Sequence, residues 1–375
     1  MKTLSAAILA LVLLLTGCRE EPMADLQQYA YVSNGRSHSV SVIDLFSFRV
    51  VKTIAVGRNP TGIVASPRRN EIYVANADSH NVSVIDTEKQ SVIATIGVHR
   101  APYFLDVSAD GRRAFVANSG SANVSVIDLE ARGVLATIGV GASPGIVRVS
   151  PDGLTAVVSN RGGNSVSLID TDKKKVRETI TVCQQPEDIA ILPDSSKAFV
   201  ACTASAQVAA IDLKLGKLLV IMDVGKTPIA LALKPDGGEL FVCNFDSDSV
   251  SVINTAMNDV TATYLIGRRP VRAVVNADNS LLYVSNYGSN SVSAFSILDG
   301  KMVASVPVGS KPDALALAPS QNQLLIADSL SGDVAVILRR KPTRTNPAEF
   351  ALFTLVPVGL QPNQIAVKAF VARKQ

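Results

Sequence analysis

The stretch YVANADSHNVSVID at residues 73–86 recurs along the chain with one unvarying spacing. YVSNGRSHSVSVID (31–44) stands before it, and FVANSGSANVSVID (115–128) stands the same distance after it. The series continues as VVSNRGGNSVSLID (157–170), FVACTASAQVAAID (199–212), FVCNFDSDSVSVIN (241–254), YVSNYGSNSVSAFS (283–296) and LIADSLSGDVAVIL (325–338), eight copies in all. A strict period of this length marks each copy as one supersecondary unit, too small to bury its own faces and stable only against its neighbours. The 375 residues therefore read as one repetitive domain rather than two unrelated ones.

Residues 60–101 show what a unit builds. Thr61 to Ser66 is a short apolar run closed by a Pro67-Arg68-Arg69-Asn70 turn, spelled Pro151-Asp152-Gly153 and Pro235-Asp236-Gly237 in other copies. Glu71 to Asn76, Asn81 to Asp86 and Ser91 to Val98 follow, rich in β-branched residues. A G-x-x-P turn then leads into the next unit in most copies, from Gly57-Pro60 to Gly359-Pro362. No segment carries a helical period of any length. Four antiparallel strands per repeat predict an all-β propeller. The first unit lacks its innermost strand and the chain ends with a spare one, Asn363 to Val367, so eight blades close when that strand joins the N-terminal three. The last unit carries an insertion of eight residues around Lys341 to Glu349.

The Tyr-Val-x-Asn motif with Val-Ser-Val-Ile-Asp behind it resembles the YVTN family of β-propeller repeat proteins, over essentially all of positions 29–375. Many members of that family have seven blades, and the count of eight departs from that expectation.

The N-terminus has a second resemblance. Met1-Lys2, an apolar run from Ala6 to Leu15 and Leu15-Thr16-Gly17-Cys18 form a secretory signal too short to span a membrane. The ending is similar to the bacterial lipobox, which implies residues 1–17 as signal peptide, Cys18 as the lipidated first residue, 18–28 as a lipidated Cys and short tether, and 29–375 as propeller. Arg19, in place of an Asp, implies an outer-membrane destination in the cell envelope of a Gram-negative host. The membrane is then a partner through the anchor. An oxidising envelope permits disulfides, and Cys183 and Cys202 fall at one rim of adjacent blades, with Cys243 left over.

Chemistry is sparse. A net charge of +4 with both signs interspersed, seven Tyr, eleven Phe and no Trp leave little footprint or stacking surface for nucleic acid, which is not expected as a partner. Gly141-Ala142-Ser143-Pro144-Gly145 matches G-x-S-x-G but fills an ordinary inter-blade turn with no helix behind it. Asp246-Ser247-Asp248 lacks the ligand count of a calcium loop. His38 and His80 share one phase of the repeat, and His99 falls on the same face, so these three are candidates for holding a metal or haem. Asp106, Arg148, Asp188, Lys234 and Arg272 replace Ala or Val at channel-lining phases, with Glu187 and Asp313 beside them. Arg148, Asp188 and Arg272 are the candidates for binding a small polar or anionic ligand.

No catalytic constellation stands out, and no cofactor is required by any motif. The function expected is a non-catalytic binding or scaffold module, lipid-anchored, for a protein or small polar ligand. The alternative is a cofactor-binding propeller (haem d1 or metal) or a lactonase-like one, working through the histidine face.

Overall fold

The repeated alternation becomes eight sheets of four antiparallel strands in the computed structural model, which describes residues 26–340 and 349–372. The lipobox, the tether up to residue 25 and the inserted residues 341–348 lie outside the described residues. Each sheet is a blade. In blade 2 the strands run Pro60–Ala65, Glu71–Asn76, Asn81–Asp86 and Ser91–Gly97, innermost to outermost. Blade 1 is closed as the strand count predicts. Pro362–Val371 pairs antiparallel with Leu26–Asn34 from Leu26↔Val371 to Asn34↔Pro362, and supplies the missing innermost strand. The insertion lengthens one hairpin, because Asp333–Arg340 and Glu349–Pro357 each run two residues longer than their counterparts. Helical geometry among the described residues is confined to two single turns, Arg161–Gly163 and Phe245–Ser247.

The core is the set of contacts between blades. Tyr31, Val40 and Val42 of blade 1 pack on Ile63, Ile72 and Val74 of blade 2, and a comparable apolar cluster fills each of the eight junctions. The first residue of the repeated motif anchors them: Tyr31, Tyr73, Phe115, Phe199, Phe241 and Tyr283 are all buried. Each phenylalanine so placed contributes about 1.5–3 kcal/mol.

Polar residues of the motif have fixed tasks at the two ends of a blade. At one end the motif Asp caps the turn that follows. Asp86 accepts the Glu88 and Lys89 amides at 2.9 and 2.8 Å, and Asp128 does the same for Glu130 and Ala131. At the other end the motif Asn lies under the inter-blade turn. The Asn76 amide donates to Asn81 and Ser83 at 2.8 and 2.9 Å, and Asn160 donates to Ser165 and Ser167 at 3.1 and 2.9 Å. The first residue of G-x-x-P sits directly above this Asn. A Cβ on Gly141 would stand 2.6 Å from Asn160, and one on Gly225 2.6 Å from Asn244. Glycine suits this close approach, although blade 3 carries His99 at the same position over Asn118, whose amide still donates to Asn123 and Ser125.

Candidate functional site

The inner strands begin at the face that carries the inter-blade turns and the loops after each second strand. A cavity of about 540 Å³ opens there at the mouth of the central channel. It lies off-centre, walled mainly by blades 3 to 7. Tyr103 and Phe104 come from blade 3, Gln185, Glu187 and Asp188 from blade 5, and Val271 and Arg272 from blade 7.

Most of the charges around it are engaged. The Arg161 guanidinium stacks over the Tyr103 ring at 4.1 Å and lies 3.5 Å from Glu187, toward which the Tyr103 hydroxyl also points at 3.5 Å. Arg148 stacks over Phe104 at 4.7 Å and lies 3.8 Å from Asp188. Asp188 accepts its neighbour's Ile189 amide at 2.9 Å and the Leu231 amide of blade 6 at 3.0 Å. Asp106 repeats the device one junction earlier, accepting the Val107 amide at 3.0 Å and the blade-4 Val149 amide at 2.9 Å. Burial pushes the Glu187 carboxyl up against the opposing pull of Arg161, with Asp188 adding to the rise. Burial likewise raises Asp106, Asp313 and the Tyr103 hydroxyl.

Arg272 is the exception. It is half-buried and lines the cavity, yet its guanidinium has no carboxylate within 4.0 Å and donates to no protein acceptor among the described residues. The surrounding face is also positive. Its sixteen loops hold eight Lys/Arg against three Asp, whereas the loops of the opposite face hold nine of each sign among the described residues. The cavity wall itself is mixed, with Glu187 and Asp188 beside Arg272. The Arg272 charge acts on the Glu187 and Asp313 carboxyls, opposing the rise that burial causes.

Of the residues singled out by sequence, Arg148, Asp188 and Arg272 come together at this mouth. Arg148 acts behind Asp188 and does not itself line the cavity. Lys234 does not join them; it follows the inner strand Pro228–Leu233 and pairs with Asp236 and Glu239 in the turn on the opposite face.

The histidines occupy loop positions with local partners. His38 takes a left-handed backbone, φ 54°, and its Nδ1 lies 3.1 Å from both the Gly35 carbonyl and the Asn59 amide of the next inter-blade turn. His80 repeats this with Ala77 at 2.9 Å and Ala101 at 3.2 Å. One ring nitrogen cannot serve both a carbonyl and an amide. The other blades decide which bond the position is built for. Asn164, Asp248 and Asn290 place a side-chain oxygen there, accepting the Gln185, Arg269 and Lys311 amides. The histidine Nδ1 thus stands where those blades present an oxygen acceptor to the turn amide. His99 is exposed and turns outward, its Nε2 3.1 Å from Thr137 on the outermost strand of blade 3. No group of three or more His, Cys, Asp or Glu suited to a metal ion forms among the described residues.

Cys183 and Cys202 form a disulfide, with Cα atoms 5.6 Å apart. Cys243 is free, buried, and pushed up to about 12 by burial, which makes it an inert thiol.

Sequence reasoning passed over Arg161 and Tyr103. Arg161 was legible by phase, since the corresponding loop position elsewhere holds Gly35, Ala77, Ser119, Thr203, Phe245, Tyr287 and Ser329. Its partnership with a tyrosine on the innermost strand of the neighbouring blade was not.

No protein-family model and no curated protein matches the chain. Solved structures do. Dihydro-heme d1 dehydrogenase NirN in complex with DHE is similar at TM-score 0.74 and 14% identity, over 90% of this chain and 74% of that one. A functionally unknown protein from Desulfotomaculum acetoxidans is similar at 0.62 and 18%, over 80% and 98%. Hydrazine synthase of Kuenenia stuttgartiensis is similar at 0.59 and 24%, over 71% and 91%. The likeness is one of fold. At these identities chemistry belongs to the site and not to the propeller.

Proposed function

We propose that this chain is a lipid-anchored propeller of the cell envelope that binds a small anionic ligand at its channel mouth and does no chemistry on it. The observation that carries the reading is Arg272, a cation inside a concave wall. Its guanidinium makes no direct ion pair or hydrogen bond among the described residues, while Arg148 and Arg161 beside it are paired with Asp188 and Glu187. A carboxylate or phosphate group on Arg272 would complete the site. The Gln185 amide is available to the rest of the ligand, and the Thr203 and Thr227 oxygens, whose protons go to Gln185 and Asp246, are left as acceptors. The repeated Tyr-Val-x-Asn units supply the rigid frame, in keeping with the YVTN resemblance. Strand Leu26–Asn34 ends at the mouth face and so begins at the opposite one, and it takes in residues 26–28, which the lipobox resemblance assigns to the 18–28 tether. An anchor at Cys18 would then attach on the side away from the mouth.

The cofactor alternative draws on the fold likeness to NirN. The residues lining this cavity include no histidine, cysteine or methionine, so a haem would find none of those axial ligands there.

Native mass spectrometry of the full lipidated protein identifies what the mouth retains on purification, and an absorption spectrum reports any haem. Calorimetric titration with acetate and phosphate then compares wild type with Arg272→Met. A charge-assisted contact is worth about 1.5–3 kcal/mol, so the variant should bind roughly 10- to 150-fold more weakly. Equal binding by both proteins sinks the reading.

A further inference from the structure

Blade 5 breaks the repeat at one place. In six copies the residue under the inter-blade turn is an Asn whose amide donates to side chains five and seven positions further on. In blade 5 the Asn is Cys202, the two acceptor positions hold Gln207 and Ala209, and the glycine above has become Cys183. The Gly–Asn pairs are spaced 19 residues apart, as in Gly141–Asn160 and Gly225–Asn244, and the disulfide spans the same 19. The covalent bond therefore stands where a polar side-chain layer stands in other blades. Without it, the turn at 183–185 is tied to the loop at 203–205 by the Thr203–Gln185 contacts, by Ala204 to Gln184, and by Gln184 to Ser205.

Those two segments are a wall of the mouth. Gln185, Glu187, Asp188, Thr203 and Ala204 all line the cavity, and each lies within five residues of one of the two cysteines. We propose that the mouth is a redox-sensitive site, in which the Cys183–Cys202 disulfide holds the blade-5 wall closed and its reduction by a dithiol opens that wall and releases the ligand. This rests on the anion-binding reading for what is released, though not for the movement of the wall.

The electron balance is simple. Cys183 is 5% exposed and Cys202 fully buried, so a thiolate of an external dithiol attacks the Cys183 sulfur as the wall breathes. The Sγ–Sγ bond breaks, a mixed disulfide forms at Cys183, and the Cys202 thiolate leaves and takes a proton from solvent. The second thiolate of the reductant then displaces Cys183, which is protonated in turn, and the reductant departs as its own disulfide. Two thiols remain in a junction that has no amide–hydroxyl layer to fall back on.

Hydrogen exchange of the full protein, before and after dithiothreitol, reads the wall without needing a ligand. Peptides covering 183–188 and 203–206 should exchange about tenfold faster after reduction, with the equivalent peptides of other blades unchanged. The Cys183→Gly/Cys202→Asn/Ala209→Ser variant writes the common junction into blade 5, and its exchange should be slow and indifferent to dithiothreitol. Unchanged protection in the reduced wild type overturns the proposal, and so does a loss shared equally by all eight blades. In parallel, oxidised protein should bind phosphate at least about tenfold more tightly than reduced protein. Oxidised protein that binds it no better than Arg272→Met overturns the anion reading instead, because the exchange result stands independently.

Discussion

Asp328 shows how far one atom of difference changes a repeat position. It replaces the motif Asn in blade 8, is fully buried, and faces Asp333, which takes the place of the usual Ser or Asn acceptor. Two acceptors then meet where six other blades pair a donor with an acceptor. Burial, and next the adjoining Asp333 carboxyl, push Asp328 well above the usual carboxylate range, so that it keeps a proton to share. The folded-state pKa is raised, hence the stability tied to the neutral form is fully present below the ordinary carboxylate range. It is lost as pH climbs through the raised value toward alkaline conditions. Asp328→Asn restores the amide donor and should flatten this dependence. Thermal melts at about pH 5 and about pH 9 should show the wild type losing at least about 2 °C more than the variant between the two.

The histidines make the complementary point. Because Asn164, Asp248 and Asn290 do the work of His38 and His80 in other blades, His38→Asn and His80→Asn should leave stability and anion binding intact. His80→Ala should cost about 0.5–1.5 kcal/mol in urea denaturation, the usual worth of one hydrogen bond. Loss of ligand in the Asn variants would instead make these rings part of a binding site.

At the scale of a single element, the inter-blade turn is where sequence and packing are most tightly coupled. Where glycine opens this turn, the Asn beneath occupies the space of a Cβ, and only blade 3 sets another residue, His99, over such an Asn. Gly225→Ala should therefore cost about 1–3 kcal/mol through overpacking, whereas Gly139→Ala, which meets nothing within 4 Å, should be near neutral. Equal effects of the two changes in denaturant melts would refute the close-approach account. The same turn explains why some of the site could be read in advance and some could not. Arg148, Asp188 and Arg272 stand out because charge replaces Ala or Val at a phase that faces the channel. Lys234 shares that polar signature but stands one residue past its strand, and strand ends are where period arguments fail. Arg161 and Glu187 were visible as residues, but their junction over Tyr103 depends on how two neighbouring blades twist against each other.

For the whole molecule, closure is the decisive contact. The pairing of Leu26–Asn34 with Pro362–Val371 joins the two ends of the chain, and the cluster around Ala30, Val32, Ala314 and Val336 forms only when the ring is shut. Removing residues 362–375 should leave blade 1 without its inner strand and an apolar edge on blade 8. Urea titration should then show a lower midpoint and a broadened transition, while a ring held by stacking alone would unfold unchanged.

The sequence by itself determined the blade, the number of blades and the closing strand. A strict period repeats local rules of alternation, turn and cap that need no distant partner to be read. Only the tertiary structure decided which charges around the channel remain free. Arg161, Arg148 and Arg272 look alike in the chain, and the first two are paired with Glu187 and Asp188 across blade junctions. Arg272 is left facing the mouth, since ion pairing depends on side-chain distances across the ring that no repeat phase contains.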